Sequence, residues 1–540
     1  MNFILDFDKN DTNYKISSLD SQIVSFNESF KDKRYILSLN TKEEIKINSI
    51  KIEIDHKFLK SDLFFLNGYQ SWTDSYLYKY EDKFKNIMKT PKFLLKAFAF
   101  DKYGDSHFKK YDKNVFHGYD LAYIKGEESF FIASLNYKKA FLIINFDKKN
   151  NKIILESDFN NIKVSGDVTL FDFIIGDDIK STSDLYFSYF NIKKNDKIFG
   201  YTSWYNHYQN INEKLIMDSL DSLDSRFNLF QIDDGYEEYV GDWLNVDKNK
   251  FPNGLKPIVD KIHDKGFKAG IWLAPFVVEE KSQIYNEHKD WVMKVDGNPV
   301  KCGSNWSGFY ALDIYNSEVR DYIKKSLEHF MDLGFDFFKL DFLYASTVVK
   351  RDNKTRAQVS YESYEFLRSI LKDKLILGCG AVISSAYNNF DYMRIGPDVS
   401  LKFDDVWFMR FFHRERISTK NTLRNTIYRS MLNGNVFYND PDVFLLRDDN
   451  INLSIEQRKA LIIINSLFGS VLMTSDNISY YDNNKKEILD FAFNIYNNAT
   501  NKNYEKLGNN IKISFDLDNK KYEFLYDINK GILRGGKNGD

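Results

Sequence analysis

Asp341 stands where its residue type is least expected. In FFKLDFLY it interrupts an apolar run, with Lys339 two positions before it. Period-2 alternation along a strand puts Lys339 and Asp341 on one face. Two opposite charges buried together are tolerable only if they pair or bind a ligand. Asp398 in MRIGPDVS is a second isolated carboxylate, with Arg394 four residues before it, and Asp233 and Asp234 form an adjacent pair in QIDDG. Cleaving a glycosidic bond with retention needs two carboxyl groups, one ionised to attack carbon and one protonated to release the leaving oxygen. A lysine beside the first keeps it ionised, and a pair of adjacent acceptors suits the hydroxyls of a polyol. Taken singly, an Asp after a strand is more often a helix cap or an Asx turn, so the group argues where its members do not. The eight His form no HxH or HExxH pattern and none adjoins these carboxylates, so neither a metal nor another cofactor is expected.

These residues need a scaffold that gathers strand ends. Eight short apolar segments follow Gly200 or end just after it: 198–204, 228–235, 268–276, 335–342, 375–380, 392–398, 436–442 and 470–476. Between them run stretches with helical spacing, such as Leu255, Ile258, Val259 and Ile262, or Val319, Ile323, Leu327 and Phe330. Eight strands with helical crossovers over about 290 residues suit a (β/α)8 TIM barrel, whose active face lies at the C-terminal strand ends. Counting strands does not separate this from a doubly wound sheet. The ends in question carry Trp204, Asp233, Asp234, Trp272, Lys339, Asp341, Cys379, Arg394, Asp398, Asp440 and Asp442, and Asp440 and Asp442 are expected to be supporting residues. Alternating runs before the barrel (KIEIDHKFL, FFIASLNY, AFLIINFD, NKIILES) read as an antiparallel β-sandwich, and NNIKISFDLD and KKYEFLYDI near the end as a small β domain. The fold class is therefore multidomain α/β and β, with a sandwich over 1–190, a barrel over 191–480 and a C-terminal antiparallel domain over 481–540.

Composition narrows the partners. The net charge is −2, from 75 Lys+Arg against 77 Asp+Glu, which argues against nucleic acid, a membrane surface or a polyanionic substrate. Aromatic residues reach 16%; most of the Phe are core, but flat faces for a sugar are available. Two distant cysteines, Cys302 and Cys379, build no disulfide framework. The opening MNFILDFDKNDTNYK lacks the basic and apolar regions of a secretory signal, and no apolar run is long enough to cross a bilayer. The cytoplasm is the expected compartment.

KLDF at 339–342 and RIGPD at 394–398 resemble the nucleophile and acid/base signatures of the α-galactosidases of glycoside hydrolase family 36. The resemblance extends in order through GYTSWYN (200–206), QIDDGY (231–236), GDW (241–243), KAGIWLAPF (268–276), LGCG (377–380) and NDPDVFLLR (439–447), and includes NGYQSW at 67–72 before the barrel. It implies Asp341 as nucleophile and Asp398 as acid/base. It further implies Asp233 and Asp234 on O4 and O6 of the sugar and Lys339 and Arg394 on O3, O2 or both. Trp272, Trp204 and Trp72 would line the pocket, with Cys379 near O2. The implied substrate is a small oligosaccharide ending in α-galactose, such as melibiose or raffinose, hydrolysed by double displacement. The segment after LGCG, AVISSAYNNFDYM, departs from the family pattern, and its loop 381–391 is expected near O2. That leaves an α-N-acetylgalactosaminidase and a galactosyl transferase open as alternatives. A silent carbohydrate-binding protein and a metal-dependent barrel hydrolase are the readings from other classes. Homo-oligomers are common on such scaffolds, with no residue pattern here to assign one.

Overall fold

The computed structural model describes residues 2–19, 21–404 and 409–537. From Asn2 to Gly176, twelve antiparallel strands join into one hydrogen-bonded network. Its spine is Arg34–Asp55, a 22-residue strand that pairs along different stretches with Asn2–Lys9, Ser25–Lys31, Lys152–Ser157 and Ile162–Gly176. Alternate residues Leu37 and Leu39, then Ile45 and Ile47, then Ile50 and Ile52 are buried. The change of parity after Ile47 coincides with a bulge in the pairing to the first strand, since one extra residue swaps faces. This face packs on Phe146, Ile153, Leu155, Phe171 and Phe173.

The second sheet is wholly parallel. Its strands lie in the order Tyr438–Asp440, Tyr392–Arg394, Leu375–Gly378, Phe337–Leu340, Lys268–Leu273, Leu229–Ile232, Ile198–Thr202, Val471–Thr474 and Val443–Phe444. All eight expected segments are there, but 436–442 behaves differently from the rest. Pro441, which has no N–H to donate, and Asp442, at φ 77°, break the ladder between its two pieces. The first piece pairs with Tyr392–Arg394, the second with Val471–Thr474, so one short stretch of chain holds both ends of the sheet and curls it back on itself.

Helices cover the curled sheet, and the apolar faces expected of them are the buried ones. Ile258, Val259 and Ile262 of Lys256–Asp264 and Val319, Ile323, Leu327 and Phe330 of Ser317–Asp332 are all buried. Arg356–Leu371 and Ile455–Phe468 begin with reciprocal capping boxes, Thr355 with Gln358 and Ser454 with Gln457, which satisfy backbone N–H groups that the first turn leaves free. The chain then forms a four-stranded antiparallel sheet over residues 500–537, with Ile511, Ile513, Phe515 and Leu517 buried in strict alternation. No described helix is long and apolar enough to cross a membrane.

Candidate active site

Leu229–Ile232 and Phe337–Leu340 end one or two residues before Asp233, Asp234 and Asp341, so those side chains project from the loops just beyond the ladder, while Asp398 stands four residues after Tyr392–Arg394. Asp341 follows Phe337–Leu340 and is 7% exposed. Its Oδ2 accepts from Trp272 Nε1 at 3.1 Å and its Oδ1 from the Phe342 N–H at 2.8 Å. The second bond requires a sharp turn, and Phe342 is in the left-handed region at φ 53°, a strained conformation for a bulky residue. Burial pushes the Asp341 pKa up, the Lys339 charge pulls it down and Asp398 pushes it up again. Trp272 and Lys339 are register partners on adjacent strands.

The Lys339 ammonium, expected beside Asp341, has its direct partner in Asp233, with Nζ 2.9 Å from Oδ2. Burial works against this ammonium, but the surrounding negative charges, Asp233 first and then Asp341, together outweigh it and its pKa rises. Asp233 Oδ2 also accepts from Gln231 Nε2 (2.6 Å) and Thr202 Oγ1 (3.1 Å), while Oδ1 accepts the Asp234 N–H at 3.0 Å. Asp233 is thus an anchor already saturated by the protein. Asp234 is held differently, by Trp306 Nε1 (2.8 Å to Oδ2) and Gln209 Nε2 (3.0 Å to Oδ1). Gly235 lets the Gln209 backbone come this close, because at φ 117° it sits where an added Cβ would be 2.7 Å from Gln209 Cα. Behind them Glu237 accepts the Gly235 N–H at 3.2 Å. Burial, then the charge of Asp234, pushes Glu237 well above the usual carboxylate range, and burial raises Asp234 too.

Asp398 is the more open acid, its side chain 31% exposed, with Oδ1 2.8 Å from Arg394 Nη1. Arg394 is enclosed by three carboxylates: its Nε reaches Asp440 Oδ2 at 2.9 Å and its Nη2 reaches Asp442 Oδ1 at 2.8 Å. Tyr205 O–H donates to Asp442 Oδ2 at 2.5 Å, and the Val399 N–H does so at 2.7 Å. Asp440 and Asp442 therefore hold the arginine that holds Asp398.

Trp72 enters from the antiparallel region. The turn that carries it is tied down by the buried Arg429, whose Nε donates to Asn67 Oδ1 (2.9 Å) and whose Nη1 donates to the carbonyls of Ser71 (2.7 Å) and Ile395 (2.8 Å). The Trp72 ring lies over Gly380, where an added Cβ would stand 2.9 Å from it, and packs edge-on against Phe342 with centroids 5.4 Å apart.

One cavity of about 360 Å³ collects most of these groups. Trp72, Trp204, Asp233, Asp234, Trp272, Lys339, Asp341 and Asp398 line it; Arg394 and Cys379 do not. Arg394 is buried behind Asp398, and Cys379 is 1% exposed with its thiol pushed well up by burial. The loop expected to face the sugar, 381–391, contributes nothing to the lining. It is drawn to the antiparallel region instead, with Val382 bridging Gln70, Ser384 Oγ donating to Asp120 Oδ2 (2.5 Å) and Asn388 Nδ2 donating to Tyr137 O–H (3.1 Å). Its place is taken by segments that strand-end reasoning passes over: Phe100 and Tyr103, Ser304 to Trp306, and Met409 with His413 and Glu415 to Ile417. Trp306 carried one visible signal, an indole among small polar residues in SNWSGF; Glu237 carried none beyond its closeness to QIDDG, and Gln209 none. Among the described residues no group of three or more His, Cys, Asp or Glu converges as a metal ion would require.

Residues 190–375, which hold Asp233, Asp234, Trp272, Lys339 and Asp341, match the family model described as Melibiase. They are a Melibiase domain. Alpha-galactosidase Mel36A of Lactobacillus acidophilus is 34% identical over 150 residues, 26% of this chain and 20% of that protein. Alpha-galactosidase AgaA of Geobacillus stearothermophilus is 28% identical over 135 residues, 24% of this chain and 18% of that protein. The matched stretches thus span about a fifth of these relatives' length. Among solved structures, the alpha-galactosidase TtGalA of Thermus thermophilus, in complex with p-nitrophenyl alpha-D-galactopyranoside, superposes with a TM-score of 0.70. Its identity is 22%, over 92% of this chain and 98% of that one. GH36 alpha-galactosidase AgaA gives a TM-score of 0.62 at 13% identity, over 93% and 72%. At these identities the likeness is one of fold, and it reaches well beyond the Melibiase domain on both sides.

Proposed function

We propose that the chain is a retaining, exo-acting α-galactosidase that removes terminal α-D-galactosyl residues from galacto-oligosaccharides such as melibiose or raffinose. The observation that carries it is the cavity onto which both Asp341 and Asp398 open, the first nearly buried and held by an indole and a backbone N–H, the second more exposed. The Melibiase domain and relatives named as alpha-galactosidases support the sugar. In this reading Asp341 attacks C1 while Asp398 protonates the leaving oxygen. Water deprotonated by Asp398 then opens the covalent β-galactosyl intermediate with net retention. The two carboxyl groups would lie about 5–5.5 Å apart or slightly more. Asp234 takes O4 or O6, with Asp233 and Lys339 fixing one another beneath it. Trp204, Trp272 and Trp72 wall the sugar, and Arg394 acts through Asp398.

We further read the curled sheet as a closed (β/α)8 barrel, joined where Pro441 and Asp442 link its two ends. The layout would be a sandwich over 1–190, a barrel over 191–480 and a β domain over 481–540. Two free, buried cysteines are in keeping with the cytoplasm. The test is hydrolysis of matched p-nitrophenyl α-galactoside and α-N-acetylgalactosaminide, with the product anomer followed by NMR. α-Galactose appearing first supports the proposal. β-Galactose appearing first removes retention, turnover of the acetamido sugar alone changes the substrate, and transfer to acceptor sugars in place of hydrolysis makes the enzyme a transferase.

A further inference from the structure

We infer that Glu237 is the positioning residue of the sugar-binding carboxylate: it carries the one proton shared by two adjoining acids and uses it to donate a hydrogen bond to Asp234, which is thereby held as an acceptor for a sugar hydroxyl. This rests on the α-galactosidase reading, in which Asp234 takes O4 or O6, and names the group that keeps Asp234 in the form that reading needs.

The two carboxyl groups are in hydrogen-bonding contact, side chain to side chain. Both are nearly buried, Asp234 at 2% and Glu237 at 4% exposure. Two carboxyl groups sharing a site do not both ionise, so one proton lies between them. The neighbouring donors decide which residue keeps it. Asp234 receives side-chain N–H groups on both oxygens: Trp306 Nε1 lies 2.8 Å from Oδ2, and Gln209 Nε2 lies 3.0 Å from Oδ1 and 3.2 Å from Oδ2. Such donors favour the anion. Glu237 receives backbone N–H groups, its own and that of Gly235 at 3.2 Å.

The cations of the adjoining elements are spent elsewhere. Lys250 Nζ donates to the carbonyls of Gln209 (3.0 Å) and Gly235 (3.1 Å) and pairs with Asp247, and Lys339 pairs with Asp233. The other acids that act on Asp234 are Asp233 and Glu279, the last residue of Val277–Glu279, and they add negative charge. Burial and the charge of Asp234 push Glu237 in the same direction, toward the protonated acid. An ionised carboxylate offers about four acceptor sites. Trp306, Gln209 and Glu237 supply Asp234 with three donors, and Asp234 lines the cavity while Glu237 stands behind it, off the wall. The acceptor site left over suits a sugar O–H.

The test compares two variants on p-nitrophenyl α-galactoside and melibiose. Glu237→Gln keeps an N–H donor and an acceptor in the same shape with no proton to lose, and Glu237→Met has neither. Met should raise KM about ten- to a hundredfold, the worth of a hydrogen bond to a charge. It should change kcat little, because a hydroxyl away from C1 is bound alike in the ground and transition states. Gln should recover most of that loss. An infrared difference spectrum of wild type against Glu237→Gln at neutral pH should also show the C=O stretch of one protonated carboxyl, a readout that needs no substrate and no Met variant. The band together with recovery by Gln supports the inference. Absence of the band, Gln as impaired as Met, or a loss in kcat at constant KM overturns it while leaving the α-galactosidase reading intact. A wild type that turns over no α-galactoside brings down that reading, and the band alone then decides whether Glu237 holds the proton.

Discussion

Trp272 Nε1 donates to Asp341 Oδ2 at 3.1 Å, from the neighbouring parallel strand. A charge-assisted bond of this kind favours the ionised carboxylate against the burial that raises its pKa. In the proposed mechanism the attacking form is the anion, so the acid limb of kcat/KM should lie above the usual Asp range. Trp272→Phe should move that limb further alkaline and cost about ten- to a hundredfold in kcat/KM, the worth of a hydrogen bond to a charge. A pH–rate profile of the variant checks this; a limb that stays in place would mean that the indole does not set it.

Asp341→Gly should abolish hydrolysis and, with added azide, yield a β-galactosyl azide, because the small anion fills the space the carboxylate leaves and attacks from the same side. Product NMR identifies the anomer, and an α-azide would contradict the assigned nucleophile.

In the proposed mechanism Asp398→Ala removes the proton donor to the leaving oxygen. Its effect should scale with leaving-group basicity: about 10²–10⁴-fold on melbiose-type substrates, as for loss of a general acid, and much less on aryl galactosides that leave without help. Kinetics across a series of phenols measure the slope, and a uniform loss would reassign Asp398.

Lys339 and Asp233 form a buried ion pair, 2.9 Å apart and each about 5% exposed or less. Removing one partner strands the other, at about 3–5 kcal/mol. Lys339→Met and Asp233→Asn should each lower the melting temperature, and the double variant should lose less than the sum of the two. Calorimetry of the four proteins closes the cycle; strict additivity would show that the pair is not coupled.

Asp120 links the antiparallel region to loop 381–391 through Ser384, and burial pushes its pKa up to about 7. A carboxyl raised in the folded state contributes stability below its unfolded pKa and loses it as pH rises through about 7. Asp120→Asn remains neutral, and the amide suits the φ of 61° at this position. The variant's melting temperature should therefore fall less than that of the wild type between about pH 5 and pH 8. Parallel thermal melts decide it.

Much of this was legible in the chain because it obeys local rules. The parallel strands announce themselves as apolar runs, and their helices show apolar residues at helical spacing. Asp341 was visible because a carboxylate inside FFKLDF has no local explanation. The partner of Lys339 was not legible: period-2 alternation places it on the face of Asp341, but Asp233 reaches its ammonium from two strands away. The partners of loop 381–391 were not legible either: the family resemblance put it near O2, while Asp120, Gln70 and Tyr137, hundreds of residues earlier, bind it.

The sequence by itself determined the alternation of strands and helices, the charged residues at the strand ends and the resemblance that joins them, because each depends on neighbours a few positions apart. Only the tertiary structure decided which carboxylate each cation holds, that Trp306 faces Asp234, that loop 381–391 turns to the antiparallel region, and that Phe100 and Tyr103 line the cavity. Those are contacts across the curled sheet and between regions. They are fixed by how strands hundreds of residues apart are brought into register, and no local pattern encodes that.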